Sequence, residues 1–239
     1  MSSSVHTTAW SGSLPGPRVL LLHGFLGHPE DWQATRESYG ASGEWVAPFL
    51  PGHGENPFPL ALQQYKIGLK KLAGEQLFDY CIGYSLGGRL ACSLHGEDRP
   101  WKKLILIGAQ PHPAATLSRF GMDLKRSVHL HLMNLRGFVA TWYQQPLFAG
   151  TPMTAEFLQR RLLHRPAAIA PMLWKWSPAK LRIPNTVIPE LVIYGAEDPV
   201  RPTQRPWPYL EVPGASHHVL AMAPSALGQA LRQILTSGT

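Results

Sequence analysis

A chain of 239 residues has room for one globular domain with a substantial core and an insertion in it. With 44% hydrophobic and 15% charged residues it is neither a disordered chain nor, lacking any long apolar run, one that crosses a bilayer. The formal charge of +7 suits small anionic ligands as well as nucleic acid. Without a Lys/Arg run, zinc spacing or RNA-type aromatic motif, nucleic acid is set aside as a partner.

Residues 1–17 carry Ser, Gly and Pro but no basic stretch followed by an apolar run, and read as a disordered lead-in and not a signal peptide. Two cysteines, Cys81 and Cys92, fall in apolar patterns and read as buried free thiols. Both features fit a cytoplasmic protein. Short apolar runs then recur, each closed by turn residues: Val19-Leu20-Leu21-Leu22, Trp45-Val46-Ala47, Phe78-Asp79-Tyr80-Cys81-Ile82, Leu104-Ile105-Leu106-Ile107, Leu191-Val192-Ile193-Tyr194 and Tyr209-Leu210-Glu211-Val212. Such continuous runs predict strands buried on both faces, as in a parallel sheet. Helical spacing appears over residues 60–77, 86–95 and 224–235. The alternation predicts an α/β fold, a mostly parallel central sheet flanked by helices. Residues 111–189 break it with helical patterns and no strand, so they are assigned to a helical cap inserted in a core of residues 18–110 and 190–239.

The chemistry centres on Gly83-Tyr84-Ser85-Leu86-Gly87, which follows a strand pattern and opens a helix pattern. In that context G-x-S-x-G is a nucleophile elbow: small neighbours permit a strained turn that holds a hydroxyl above the sheet. A serine needs a base, and the base an orienting carboxylate. Asp198 and His217 follow in the order this fold uses, each just past a strand. Glu197 and His218 are adjacent rivals, read as solvent or packing residues. His23-Gly24-Phe25-Leu26-Gly27 follows the first strand run, where one backbone donor of an oxyanion hole belongs; Phe25 and Leu86 are the candidates. No metal site is expected: His129 and His131 form only a His-x-His pair, without nearby carboxylates or cysteines.

Leu22-His23-Gly24-Phe25-Leu26-Gly27, Asp31-Trp32, Leu50-Pro51-Gly52-His53-Gly54, Gly83-Tyr84-Ser85-Leu86-Gly87-Gly88-Arg89 and, above all, Trp142-Tyr143-Gln144-Gln145-Pro146-Leu147-Phe148 resemble the 2-succinyl-6-hydroxy-2,4-cyclohexadiene-1-carboxylate synthases of menaquinone and phylloquinone biosynthesis. The resemblance spans about residues 18–235. It implies an α/β-hydrolase fold and a lyase that eliminates pyruvate from 2-succinyl-5-enolpyruvyl-6-hydroxy-3-cyclohexene-1-carboxylate without a cofactor. Ser85, served by His217 and Asp198, would be the base, and the Phe25 and Leu86 N–H groups would stabilise the developing oxyanion.

A multi-carboxylate substrate calls for arginines, whose planar fork suits carboxylates. Arg89 lies one helical turn after Ser85. Alignment outward from the Trp142 motif adds Arg119 and Arg161, the latter in competition with Arg160 and Arg165; Tyr84 and Trp142 would line the pocket. The small anionic substrate is the one partner expected, with the chain a monomer or weak oligomer. The proline-rich stretch 199–208 departs from the family in being too short for the usual helix after the acid loop, and the residues after His217 also differ. A carboxylesterase working through an acyl-Ser85, and a non-catalytic ligand receptor on the same fold, are the competing readings.

Overall fold

A computed structural model describes residues 5–54, 61–112, 116–204 and 206–236. Its centre is a seven-stranded sheet: β1 (Thr7–Ser11), β2 (Leu14–Leu22), β3 (Ser42–Pro48), β4 (Phe78–Tyr84), β5 (Trp101–Ile107), β6 (Leu191–Gly195) and β7 (Tyr209–Val212). The order across the sheet is β1-β3-β2-β4-β5-β6-β7. All neighbours run parallel except β1, which lies antiparallel on β3. The chain belongs to the α/β class, and the six apolar runs correspond to β2 through β7.

β1 corrects the reading of residues 1–17 as a disordered lead-in: residues 7–11 are a strand and β2 starts at Leu14, while residues 1–4 lie outside the described residues. The sequence carries no apolar signal for it, because an edge strand has no doubly buried apolar run. Its residues alternate between exposed and half-buried, and its stability comes from the ladder to β3, with Trp10 opposite Trp45.

Helices cover both faces. α1 (Gln33–Tyr39) and α9 (Pro224–Thr236) share one side, where a Cβ on Gly228 would stand 2.6 Å from the Thr35 carbonyl oxygen. Only glycine allows that approach. α2 (Leu62–Ala73) and α3 (Leu86–Leu94) cover the other face. The helix expected over residues 60–77 is thus shorter, ending where Gly74 takes φ +66°; Leu60 lies outside the described residues. Cys81 and Cys92 are buried free thiols.

Between β5 and β6 come α4 (Leu117–Leu132), α5 (Leu135–Tyr143), α6 (Ala155–Leu162) and α7 (Pro166–Lys175), with no strand among the described residues. Thr116, Asn134 and Thr154 cap the first three with side-chain oxygens. These helices bury a core of their own, including Leu130, Phe138, Phe157 and Ile169, against Leu26 from the loop after β2. Between β6 and β7 the described residues form no helix, and α8 (Val219–Met222) follows β7. No helix among the described residues is long and apolar enough to cross a membrane.

Candidate active site

β4 ends at Tyr84 and α3 begins at Leu86, so Ser85 alone makes the turn between them. It does so at φ +50° and ψ −109°, a conformation costly for any residue with a side chain. The flanking glycines make the turn possible. A Cβ on Gly83 would meet Gly88 Cα at 2.6 Å, and one on Gly87 would meet the Leu22 oxygen at 2.3 Å. Strand and helix therefore touch backbone to backbone, and the Ser85 hydroxyl stands clear at the carboxyl end of the sheet.

His217 Nε2 lies 3.0 Å from Ser85 Oγ, and Nδ1 lies 2.8 Å from Asp198 Oδ2. The carboxylate assigns the tautomer: Nδ1–H donates to Asp198, leaving Nε2 to accept the serine proton. Asp198 also accepts from the Val200 N–H at 3.0 Å, and its side chain is fully buried. The adjacent candidates are placed elsewhere. Glu197 is exposed. His218 stacks on Tyr84, rings 7° from parallel and centroids 5.5 Å apart. Its burial pushes the imidazole pKa down to about 3, a fall deepened by Arg161, so it is neutral at any ordinary pH.

Beside the elbow, the loop after β2 is held by His23. Nδ1 donates to the Gly24 carbonyl at 2.9 Å while Nε2 accepts the Leu50 N–H at 3.1 Å. A Cβ on Gly24 would meet Tyr84 at 2.7 Å, so the loop lies directly on the elbow and brings Phe25 to the cavity wall. Leu86 is the first residue of α3, and its N–H has no acceptor within the helix. Both expected oxyanion donors therefore border the space in front of Ser85.

That space is a cavity of about 490 Å³ between sheet and helical insertion. Phe25, Ser85, Leu86, Arg89, Arg119, Trp142 and His217, all singled out in the sequence, line it together. Arg89 Nη1 donates to the Trp176 carbonyl at 3.3 Å. Burial lowers the Arg89 pKa to about 10, with a further push from Arg119, and the group remains a cation at neutral pH. Arg119 donates through Nε to both oxygens of Asp123, at 3.2 and 3.1 Å.

Arg161 and Tyr84 are set apart from that wall: they line a narrow pocket of about 20 Å³ that shares Phe25, Ser85 and Trp142 with the larger one. Arg161 is 1% exposed, bonded to Asp31 Oδ1 at 2.7 Å and to the Tyr143 hydroxyl at 3.1 Å. Burial opposes its charge, but Asp31 and Tyr143 outweigh that and hold the guanidinium pKa above its usual value. Arg160 is also near Asp31, at 3.4 Å. His129 and His131 are on α4, and no group of three or more His, Cys, Asp or Glu among the described residues could hold a metal.

Among the cavity residues that the sequence does not single out as site candidates are Arg126 and Gln145. Arg126 stands seven residues after Arg119, two helical turns along the same face of α4. Gln145 is inside the Trp142 motif itself. Helical periodicity was the available signal for Arg126, but it needed a starting point whose orientation only the fold supplies.

A serine on a strained strand-to-helix turn, with a histidine and an aspartate on later loops of a parallel sheet, defines an α/β-hydrolase. Residues 19–230 match the alpha/beta hydrolase family. Among curated relatives, the 2-succinyl-6-hydroxy-2,4-cyclohexadiene-1-carboxylate synthase of Serratia proteamaculans (strain 568) is 28% identical over 95% of this chain and 96% of its own. The synthase of that name from Klebsiella pneumoniae (strain 342) is 30% identical over 70% of this chain and 71% of its own. Within the alpha/beta hydrolases, the chain belongs to the family of these synthases. The structure of MenH from S. aureus shares the fold, with a TM-score of 0.80 at 20% identity over 97% of this chain and 98% of that one.

Proposed function

We propose that the chain eliminates pyruvate from 2-succinyl-5-enolpyruvyl-6-hydroxy-3-cyclohexene-1-carboxylate, with Ser85 as base. The observation that carries this reading is a cavity that joins the Ser85–His217–Asp198 relay to the arginines Arg89 and Arg119. A neutral ester needs the relay but not the cations; a substrate with several carboxylates needs both. The names borne by the relatives point the same way.

In this mechanism a ring proton passes to Ser85 Oγ as the serine proton moves to His217 Nε2. Asp198 stabilises the imidazolium without taking its proton. Charge developing on the succinyl carbonyl oxygen is met by the Phe25 and Leu86 N–H groups. The electron pair then forms the second ring double bond, and the carbon–oxygen bond to the enolpyruvyl group breaks. The proton returned from His217 completes pyruvate. No covalent enzyme intermediate forms, so the serine works as a general base.

The test supplies the enolpyruvyl substrate and follows pyruvate with a coupled lactate dehydrogenase assay. Release above the spontaneous rate is expected, falling by about 10³-fold or more in Ser85→Ala and His217→Ala. Arg89→Ala is expected to lower kcat/KM mainly through KM. Pyruvate release that is independent of Ser85 would refute the proposal. The same relay geometry suits an acyl-enzyme hydrolase, and fast p-nitrophenyl ester turnover with a burst would favour that reading instead.

A further inference from the structure

Among the described residues, the Arg126 guanidinium in the cavity has no carboxylate within hydrogen-bond distance, only the 4.0 Å ion pair with Asp123. Gln145 Nε2 donates to the Trp142 carbonyl at 2.8 Å, which turns Oε1 toward Arg126, and Arg126 Nη2 donates to that oxygen. The guanidinium carbon lies 5.3 Å over the Trp142 ring. The N–H donors of a guanidinium point outward in its own plane, where a carboxylate can meet them two at a time. Asp123, 3% exposed, is engaged by Arg119 and stands 4.0 Å from Arg126 Nη1, beyond hydrogen-bond reach. Of five donors, one is used on a neutral amide.

Arg89, Arg119 and Arg126 line the cavity with the single carboxylate Asp123 among them, an excess of two positive charges in a half-closed space. Burial and the neighbouring Arg119 both oppose the charge on Arg126 and push its pKa below the usual arginine value, a cost that a bound anion would offset.

We propose that Arg126, mounted on Trp142 and Gln145, is a specificity-determining anchor for one carboxylate of the substrate. This rests on the multi-carboxylate reading of the cavity, and it adds to the arginines expected from sequence one that sequence did not name. A purely structural Arg126, tying α4 to the turn at Gln145, would act differently: its loss would lower Tm and kcat together and leave KM in place.

The experiment compares Arg126→Gln and Arg126→Lys with Arg136→Gln, which removes the same charge from an exposed position on α5. In the pyruvate-release assay, Arg126→Gln is expected to raise KM tenfold or more with kcat within threefold. Arg126→Lys keeps the charge without the fork, so a smaller rise is expected, and Arg136→Gln should stay within twofold. Isothermal titration with propane-1,2,3-tricarboxylate, a probe that needs no turnover, should show the wild type binding tenfold more tightly than Arg126→Gln. Unchanged KM and probe affinity, or a fall in kcat and Tm at constant KM, overturns the anchor. A wild type that binds the tricarboxylate but releases no pyruvate refutes the lyase reading, and the titration then decides Arg126 by itself.

Discussion

Ser85 pays for its exposure with backbone strain. A side chain at φ +50° and ψ −109° costs about 1–3 kcal/mol, which neighbouring contacts must offset. Ser85→Ala keeps the strain, whereas Ser85→Gly relieves it and adds only about 1 kcal/mol of unfolded-state entropy. Both variants should be inactive, and Ser85→Gly should have the higher Tm by thermal unfolding. Equal Tm values would mean that the turn is relaxed around serine. The motif was readable because strain of this kind demands glycine at Gly83 and Gly87, and those demands are written in one short stretch. Arg126 was not readable in that way. Its role depends on Trp142 and Gln145, 16 and 19 residues distant, which meet it only through the packing of α4 against the turn after α5.

At the scale of elements, the buried ion pair Asp31–Arg161 ties the short 3-10 turn Pro29–Trp32 to α6, across 130 residues of chain. Asp31 also accepts the His28 N–H at 2.9 Å. Although burial would raise its pKa, the charge and hydrogen bond of Arg161 prevail and bring it down to about 2. Such a pair is a poor source of net stability but costly to break, because the orphaned charge remains buried. Asp31→Asn is therefore expected to lose about 3–5 kcal/mol in denaturant unfolding. Combining it with Arg161→Met should recover much of that loss. If the double variant is no more stable than Asp31→Asn, the cost does not come from the uncompensated arginine. The sequence placed Arg161 near the site by motif alignment; its ion-pair partner could not be read, since nothing in the local pattern links a residue in the first loop to one on α6.

For the whole molecule, acid should be the characteristic weakness. Burial lowers the pKa of His23 to about 3, of His164 to about 4 and of His218 to about 3, all from 6.5. Between those values and 6.5 the unfolded chain binds more protons than the folded one, so stability falls as pH falls below 6.5. Each such histidine contributes a slope of about 1.4 kcal/mol per pH unit within its window. Asp31 is shifted in the same direction, and its contribution is lost only below its unfolded value of 3.8. Tm should accordingly be highest near neutrality and drop steadily from pH 6.5 to pH 4. A flat Tm over that range would mean that these imidazoles take up protons without unfolding. Three of the four buried histidines near the loop after β2, His23, His53 and His164, meet edge to face, with centroid spacings of 5.1 and 5.2 Å. They join that loop to the helical insertion.

The sequence by itself determined the α/β class, six of the seven strands and the order of serine, aspartate and histidine. These are local matters: doubly buried strands need unbroken apolar runs, and a strained turn needs glycine beside it. Tertiary structure alone decided the rest. The edge strand β1 exists through its partner β3 and not through its own composition. The choice of His217 over His218 is a difference of direction between adjacent residues, set when β7 is laid beside β6 and the loop is turned toward Ser85. The placement of the arginines, with Arg89, Arg119 and Arg126 lining the cavity, Arg119 bonded to Asp123 and Arg161 bound to Asp31, follows from which carboxylates the fold brings beside each of them. Sequence carries the residue types; only the folded chain says which charges meet.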